Sequence, residues 1–258
     1  MFDALFVGAT GMRGQQTQID AIAHNLANLN TVGFRRSIVS FAEISQALSG
    51  EELAALQASP TLAVRGAGSI AEMTLSSLAG ELKPTGEPLD VAIDGLGFLE
   101  VTRADGTPAY TRAGRLVVDA NGMLALPDGS LVAGEIQIPA GAKEITIAPD
   151  GRVSVVSGED PAPVEVGRME LATFANPTAL KAVGENMYVA PTEAGEPEVA
   201  APGESGLGTL RQGHLESSNV QLADELVTLM LAQRAFELNA RVVQAADQMM
   251  AITNSLYR

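Results

Sequence analysis

Histidine is the side chain best suited to moving protons near neutral pH, and the sequence holds two, His24 and His214, in different regions. Neither has the neighbours of a nucleophile–base set around it, and a packing or surface histidine explains each better. Cysteine is absent, which removes thiolate and disulfide chemistry. Gly95-Leu96-Gly97, within Ile93–Phe98, supplies two glycines of a dinucleotide-binding fingerprint. No third glycine follows at the required spacing, and the context reads strand-turn-strand, so no cofactor is expected. Asp119-Ala120-Asn121-Gly122 opens like a calcium loop, but Ser130 stands where the bidentate glutamate belongs. A plain turn, with no metal, is the better reading. Asp90 and Asp94 would share one side of a strand, as a solvated face rather than an acid–base pair. No catalytic set emerges, and the expectation is a protein that is not an enzyme.

The elements that would position any site are organised by the stretch Asn25–Arg35. Upstream of it, Leu5, Met12, Ile19 and Leu26 recur every seven residues, and Ile22 and Leu29 widen the stripe. That is the period of an amphipathic helix suited to a coiled-coil seam. Asn30, Thr31 and Gly33 are stop signals, so a helix of about 25 to 30 residues is expected, ending near residue 32. Gly8, Ala9, Gly11 and Gly14 permit close approach of a neighbour but weaken the helix by roughly 1 kcal/mol per glycine. A second helix is expected from Ser218, where Ser218 and Gln221 form a capping box. Its apolar residues cover more than one face, which implies several neighbours.

Between the helices the reading is a connector over residues 35–82 and a β-rich domain over residues 83–208. In the connector, Ser49-Gly50-Glu51-Glu52 reads as a capping box that starts a short helix through Leu53 and Leu56, and Ile70–Leu78 can pair as a strand. In the β region, Asp105-Gly106, Asn121-Gly122, Asp128-Gly129 and Asp150-Gly151 are turn signals separating short strands. Residues 191–208, rich in Pro and Gly, read as a loop. The fold class is therefore α+β. The helical part is residues 1–34 and 209–258, the terminal helices pairing as a coiled coil, and an all-β domain lies between.

Aromatics are 4% of the 258 residues against 46% hydrophobic overall, so the core should be aliphatic. Net charge is −15, and residues 85–205 carry 19 acidic against 7 basic side chains. That excess would repel nucleic acid phosphates. The N-terminus lacks the parts of a cleavable signal peptide, and no apolar run approaches the ~20 residues of a membrane span.

Several segments carry a family resemblance. Asn25-Leu26-Ala27-Asn28 with Gly33-Phe34, Pro88–Ile93, Tyr110-Thr111-Arg112, Gly213–Val220, Glu225-Leu226-Val227 and Gln233–Glu237 resemble the bacterial flagellar axial proteins of the rod and hook. Length and Gly184–Tyr188 are most similar to the distal-rod members, with a proximal-rod subunit as the alternative. The resemblance implies an inner tube of paired helices, an outer β-domain and self-assembly into a helical homo-polymer, the drive shaft to the hook. It implies other rod proteins, the hook side and the envelope ring bushings as partners, and export through the flagellar apparatus without a cleaved signal. A reading from a different class is an oligomeric enzyme acting on cell-wall glycan, which would need a carboxylate pair in a cleft. The expected assembly interface comprises Leu5, Met12, Ile19, Ile22, Leu26, Asn28, Leu29, Gly33 and Phe34 near the N-terminus and Leu53 and Leu56 in the connector. Leu222, Leu226, Leu229, Phe236, Val243 and Met250 complete it from the C-terminal helix.

Overall fold

The computed structural model describes residues 2–43, 69–134, 136–157 and 162–256. The chain is α+β, with an N-terminal helix, a mostly β region and a C-terminal helix. It divides into a helical unit, Met1–Ala27, Ser37–Thr74 and Gln221–Arg258, and a β unit, Asn28–Arg36 and Leu75–Val220. The capping box at Ser49 and Glu52, with Leu53 and Leu56, lies outside the described residues. Among the described residues no helix is long and apolar enough to cross a membrane.

In the helical unit, α1 spans Phe2–Ala27, and β1 (Ser37–Glu43) pairs with β2 (Ser69–Leu75). The C-terminal helix α2 spans Leu222–Leu256. The helices pack antiparallel, as three contacts along their length show. A Cβ on Gly8 would lie 2.7 Å from Val243 Cγ2, and one on Gly11 3.0 Å from Asn239 Nδ2. At the far end, Asn25 Nδ2 donates to Glu225 Oε1 at 3.4 Å. Gly14 admits the ring of Phe41, which would stand 2.7 Å from an added Cβ. The small residues anticipated in α1 thus work inside the chain, letting two backbones and one ring come close.

Both helices are shorter at the inner end than the sequence suggests. Ahead of residue 32, α1 ends at Ala27 because Asn28 closes a turn of its own. Thr31 N donates to Asn28 O at 3.1 Å and Thr31 Oγ1 to Asn28 Oδ1 at 3.0 Å. Gly33 has φ 68° but does not cap the helix. It lies in a second turn, where an added Cβ would fall 2.4 Å from the Arg112 carbonyl carbon. Likewise α2 starts at Leu222, its first helical bond running from Glu225 N to Gln221 O at 3.1 Å. Ser218–Val220 is held out of the helix by Asn219, whose Oδ1 accepts from Arg36 N at 2.7 Å and whose Nδ2 donates to Leu78 O at 2.7 Å.

The β unit is built from short antiparallel strands separated by the Asx-Gly turns. In order they are β3 (Leu82–Pro84), β4 (Val91–Asp94), β5 (Phe98–Thr102), β6 (Pro108–Thr111), β7 (Val117–Val118) and β8 (Leu124–Ala125). Then follow β9 (Leu131–Val132), β10 (Ala142–Ile147), β11 (Arg152–Ser157), β12 (Val164–Arg168) and β13 (Leu171–Thr173). The last are β14 (Lys181–Gly184), β15 (Met187–Val189), β16 (Glu198–Ala200), β17 (Thr209–Gln212) and β18 (His214–Glu216). The largest sheet runs β14-β15-β6-β5-β9-β8-β7, with β13 pairing β5 and β16. A three-stranded sheet β10-β11-β12 and the pairs β4–β17 and β3–β18 complete it. The stretch 191–208, anticipated as loop, contains β16 because Leu171, Ala172 and Thr173 of β13 offer it a pairing edge.

Val91, Leu99, Val101, Leu124, Ile136, Val153, Met169, Leu171 and Leu210 are buried in one aliphatic core. A smaller second cluster departs from the aliphatic expectation. Phe98, Tyr110, Phe174 and Tyr188 pack edge to face or tilted, Tyr110 and Phe174 with ring centres 4.7 Å apart. Such ring pairs contribute about 0.5–1.5 kcal/mol beyond their buried area.

Candidate assembly surface

The groups first considered for chemistry all have structural employment. His24 is exposed on α1, and His214 places Nδ1 3.0 Å from Gln212 O. Gly95 and Gly97 bracket the β4–β5 turn at φ 125° and 119°. An added Cβ on Gly95 would meet Gly208 Cα at 2.7 Å, so the glycines serve close backbone approach. Asp119 Oδ1 accepts from Asn121 N at 2.8 Å and Met123 N at 2.7 Å, closing an Asx turn. These bonds, the one from Met123 foremost, hold its carboxyl below the usual range. Asp94 is exposed and paired to Arg211 at 2.8 Å, but Asp90 is buried, so the solvated face expected of the two holds for Asp94 alone. No group of His, Cys, Asp and Glu fit to hold a metal occurs among the described residues.

In the helical unit α2 approaches α1 at Glu225, Asn239 and Val243, and continuing that spacing in alternating steps of four and three gives the seam Glu225, Leu229, Ala232, Phe236, Asn239, Val243, Ala246 and Met250. Glu225, Ala232 and Ala246 are buried there. Away from that side α2 is open, and its exposed apolar residues are interspersed with Arg234, Glu237 and Arg241. Leu222, Leu226, Val227, Met230, Leu231, Leu238, Val242, Met249 and Ile252 are all exposed, Leu231 at 65%. Large apolar side chains exposed in such number are the feature by which an interaction surface is sought.

The residues expected at the interface separate accordingly. Ile22, Gly33 and Phe34 are buried within their own units, and Met12, Ile19, Leu26, Asn28 and Leu29 are half-buried. Leu5 lies within α1. On α2, Leu229, Phe236, Val243 and Met250 face α1, whereas Leu222 and Leu226 belong to the open face. Val227, Met230, Leu231, Leu238, Val242, Met249 and Ile252 are exposed on α2 as well but do not belong to the list expected from sequence. Their exposure is legible in sequence once the four-three seam is assigned first and the remaining apolar residues are read off.

The β unit contains a buried ionic knot that the sequence did not announce. Glu216 on β18 receives Arg35 Nη2 at 2.9 Å on one oxygen and Arg112 Nη1 at 3.1 Å on the other. Gly80 N donates to Glu216 Oε1 at 2.8 Å, and Gly33 N to the Glu216 carbonyl at 2.7 Å. Arg35 also donates to the carbonyls of Ser77 and Leu78, and Arg112 to Gly95 O at 2.7 Å. The Arg112 guanidinium lies 5.4 Å from the centre of the Phe98 ring. Burial lowers the Arg112 pKa to about 10; Glu216 opposes the shift and Arg35 adds to it. Arg35, Arg112 and Glu216 each come from a segment that carried the family resemblance: Gly33-Phe34 with the adjoining Arg35, Tyr110-Thr111-Arg112, and Gly213–Val220. Those motifs meet in space.

Comparison with known proteins agrees with that convergence. Residues 5–35 match the family model described as flagella basal body rod protein. Residues 92–155 match the flagellar hook protein FlgE/F/G D1 domain, and residues 211–256 the flagellar basal body rod FlgEFG protein C-terminal. The flagellar basal-body rod protein FlgG of Buchnera aphidicola subsp. Baizongia pistaciae is 37% identical over 97% of this chain and 98% of its own. FlgG of Caulobacter vibrioides is 37% identical over 98% of each chain, and FlgG of Bacillus subtilis 37% over 97% of each. The crystal structure of the Helicobacter pylori flagellar hook protein FlgE2 aligns with 70% of this chain and 43% of that one. Its identity of 12% and TM-score of 0.25 are too low to bear on the fold. On full-length identity to the rod proteins, the chain belongs to the FlgG family of flagellar basal-body rod proteins.

Proposed function

We propose that the chain is a subunit of the distal rod that polymerises through the open face of α2 into the shaft carrying motor torque to the hook. The chain is a structural, non-enzymatic component of the flagellar basal body, as its family is. The observation that carries the assembly reading is the row of exposed leucines, methionines and valines on α2, opposite the seam to α1. Left in water, each such side chain forgoes about 1.5–3 kcal/mol of burial. Neighbouring copies supply the cover.

In this reading α1 and α2 form an antiparallel coiled coil whose copies line the tube, and the β unit forms the outer domain. Leu222 and Leu226 contact neighbours directly. The seam residues Leu229, Phe236, Val243 and Met250, with Ile22, Gly33 and Phe34, shape the subunit that makes those contacts. Leu5, Met12, Ile19, Leu26, Asn28 and Leu29 contribute from the N-terminal side, and Leu53 and Leu56 of the connector pack on an adjacent copy. Other rod proteins, hook-side proteins and the ring bushings of the envelope meet the ends and flanks of this polymer, and the flagellar export apparatus delivers the subunit.

The test is Leu226→Asp. A carboxylate buried without a partner is costly, so this variant is expected to remain monomeric at concentrations where the parent forms rods. Its β unit should unfold at the parental denaturant midpoint. Rods of parental length and yield from Leu226→Asp would remove the open face of α2 from the interface.

A further inference from the structure

We propose that the β unit carries a carboxylate-binding pocket, filled in the polymer by an acidic side chain from a neighbouring copy of this chain. The pocket itself stands on the β unit alone; the neighbouring copy as donor rests on the rod reading above. A cavity of about 140 Å³ is lined by both arginines of the knot, with Phe98, Phe174, Ser77 and Thr178. That is close to the size of an engineered void of about 150 Å³ that takes up benzene. A carboxylate on a short methylene stem therefore fits.

The charge at this place is unbalanced. Two guanidiniums, each on a residue only 4% exposed, share the one carboxylate of Glu216. The Nε atoms of Arg35 and Arg112 are buried without an acceptor. Buried cations with too little anion are unfavourable, and a second carboxylate would relieve them through charge-assisted hydrogen bonds. The depressed pKa of Arg112, caused first by burial, agrees with that deficit.

The remaining lining matches the rest of such a ligand. Phe98 and Phe174 offer ring surface to methylenes, and Ser77 offers a hydroxyl donor to a carboxylate oxygen, while the Thr178 hydroxyl is donated to Asn176 Oδ1 at 2.7 Å. Leu96, also in the lining, is 64% exposed and would be covered by an arriving segment. A second copy is the occupant of matching charge. The chain has 31 acidic against 16 basic residues, so a neighbour's surface presents carboxylates in excess to a positively charged pocket.

Propionate, a carboxylate with a short apolar tail, serves as the probe of the full-length monomer. NMR follows the Ser76, Ser77 and Thr178 amides, with propionamide and inorganic phosphate as controls. Saturable shifts with propionate are expected, with affinity at least about tenfold weaker for the neutral amide. Thr178→Trp and, from a different chain segment, Ser77→Trp should fill the cavity. Both should keep the parental unfolding midpoint, lose the propionate shifts and polymerise more slowly. Absence of shifts in the parent, equal binding of propionamide or phosphate, or shifts that survive in both folded variants would overturn the pocket. Loss of propionate binding with parental polymerisation would overturn the neighbouring copy as occupant. A parent that fails to polymerise under any condition would count against the rod reading and its donor, while the NMR result on the pocket stands.

Discussion

The two units place their apolar residues in opposite ways. In the β unit, Val91, Leu99, Ile136, Met169 and Leu171 are inside, and the charges admitted there are tied to one another and to backbone carbonyls. In the helical unit the buried residues are Gly8, Gly14, Ala21, Ile22, Ala232 and Ala246, together with Asn25 and Glu225, and Gln15 Oε1 is buried without a partner. Of the large apolar side chains of α2, Leu229, Phe236, Val243 and Met250 are half-buried and the others named above are exposed. Buried area is what offsets the conformational entropy lost on folding, and among the described residues large apolar side chains supply it in the β unit far more than in the helical unit. On the rod reading proposed above, the β unit holds its shape in the free subunit and the helical unit is completed by neighbours.

The comparison can be broken most severely at the knot. Replacing Glu216 with Ala leaves two buried guanidiniums facing no carboxylate, which should cost the β unit about 3–5 kcal/mol. Urea unfolding followed by near-ultraviolet dichroism of the tyrosines is the measurement. A loss under about 1 kcal/mol, the value of an exposed ion pair, would mean the knot is solvated and the contrast between the units is overstated.

An intermediate effect should appear with pH, and only in the β unit. Burial raises the Tyr188 and Tyr110 hydroxyls above their ordinary value of 10. A raised folded pKa contributes stability that is complete below the unfolded value and is lost as pH rises through the folded one. Arg112 has the opposite sign, because its pKa is lowered to about 10, so stability linked to it grows as pH rises beyond that point. Comparing the parent with Tyr188→Phe isolates the tyrosine. The parent should lose stability relative to the variant as pH increases past 10, read by urea midpoints across the alkaline range. Parallel curves would place the Tyr188 hydroxyl in water.

The smallest effect should come from the face of α2 that looks most in need of burial. Leu231→Gln in the monomer should change stability by no more than about 0.5 kcal/mol, as exposed positions do. Thermal unfolding of dilute protein measures it. A loss of about 2 kcal/mol or more would mean that this leucine is already covered within the subunit.

Much of this contrast was legible in the sequence. The sevenfold stripe and the glycines of α1 announced a helix that needs close partners. The Asp-Gly and Asn-Gly pairs marked β turns because the local residue types demand positive φ there. What stayed hidden depends on residues far apart in the chain. Arg35, Arg112 and Glu216 have no mutual spacing to read, and the four rings from β5, β6, β15 and the segment after β13 are brought together by strand pairing alone. The helix ends moved for a similar reason. Asn219 bonds to Arg36 and Leu78 and keeps Ser218 from acting as a cap, a tertiary contact overriding a local preference. On α2, apolar residues on all sides were visible, but which of them face α1 required the structure.

Asn25 has a consequence for chemical ageing. Its amide nitrogen donates to Ser37 O at 2.9 Å and its amide oxygen accepts from Ser37 N at 2.9 Å, so the side chain stands in for a strand partner. The same nitrogen reaches Glu225. Hydrolysis of that amide to a carboxylate would turn a donor into an acceptor, set it against a carbonyl and a second carboxylate, and leave both without a proton to share. The nearest chemical relative of asparagine is thus the residue this position tolerates least. Protection comes from the same geometry. Deamidation begins when the side-chain carbonyl is attacked by the following backbone nitrogen, here that of Leu26, and a helical backbone with both amide atoms already bonded holds that nitrogen away. The feature that makes damage at residue 25 costly is the one that makes it slow.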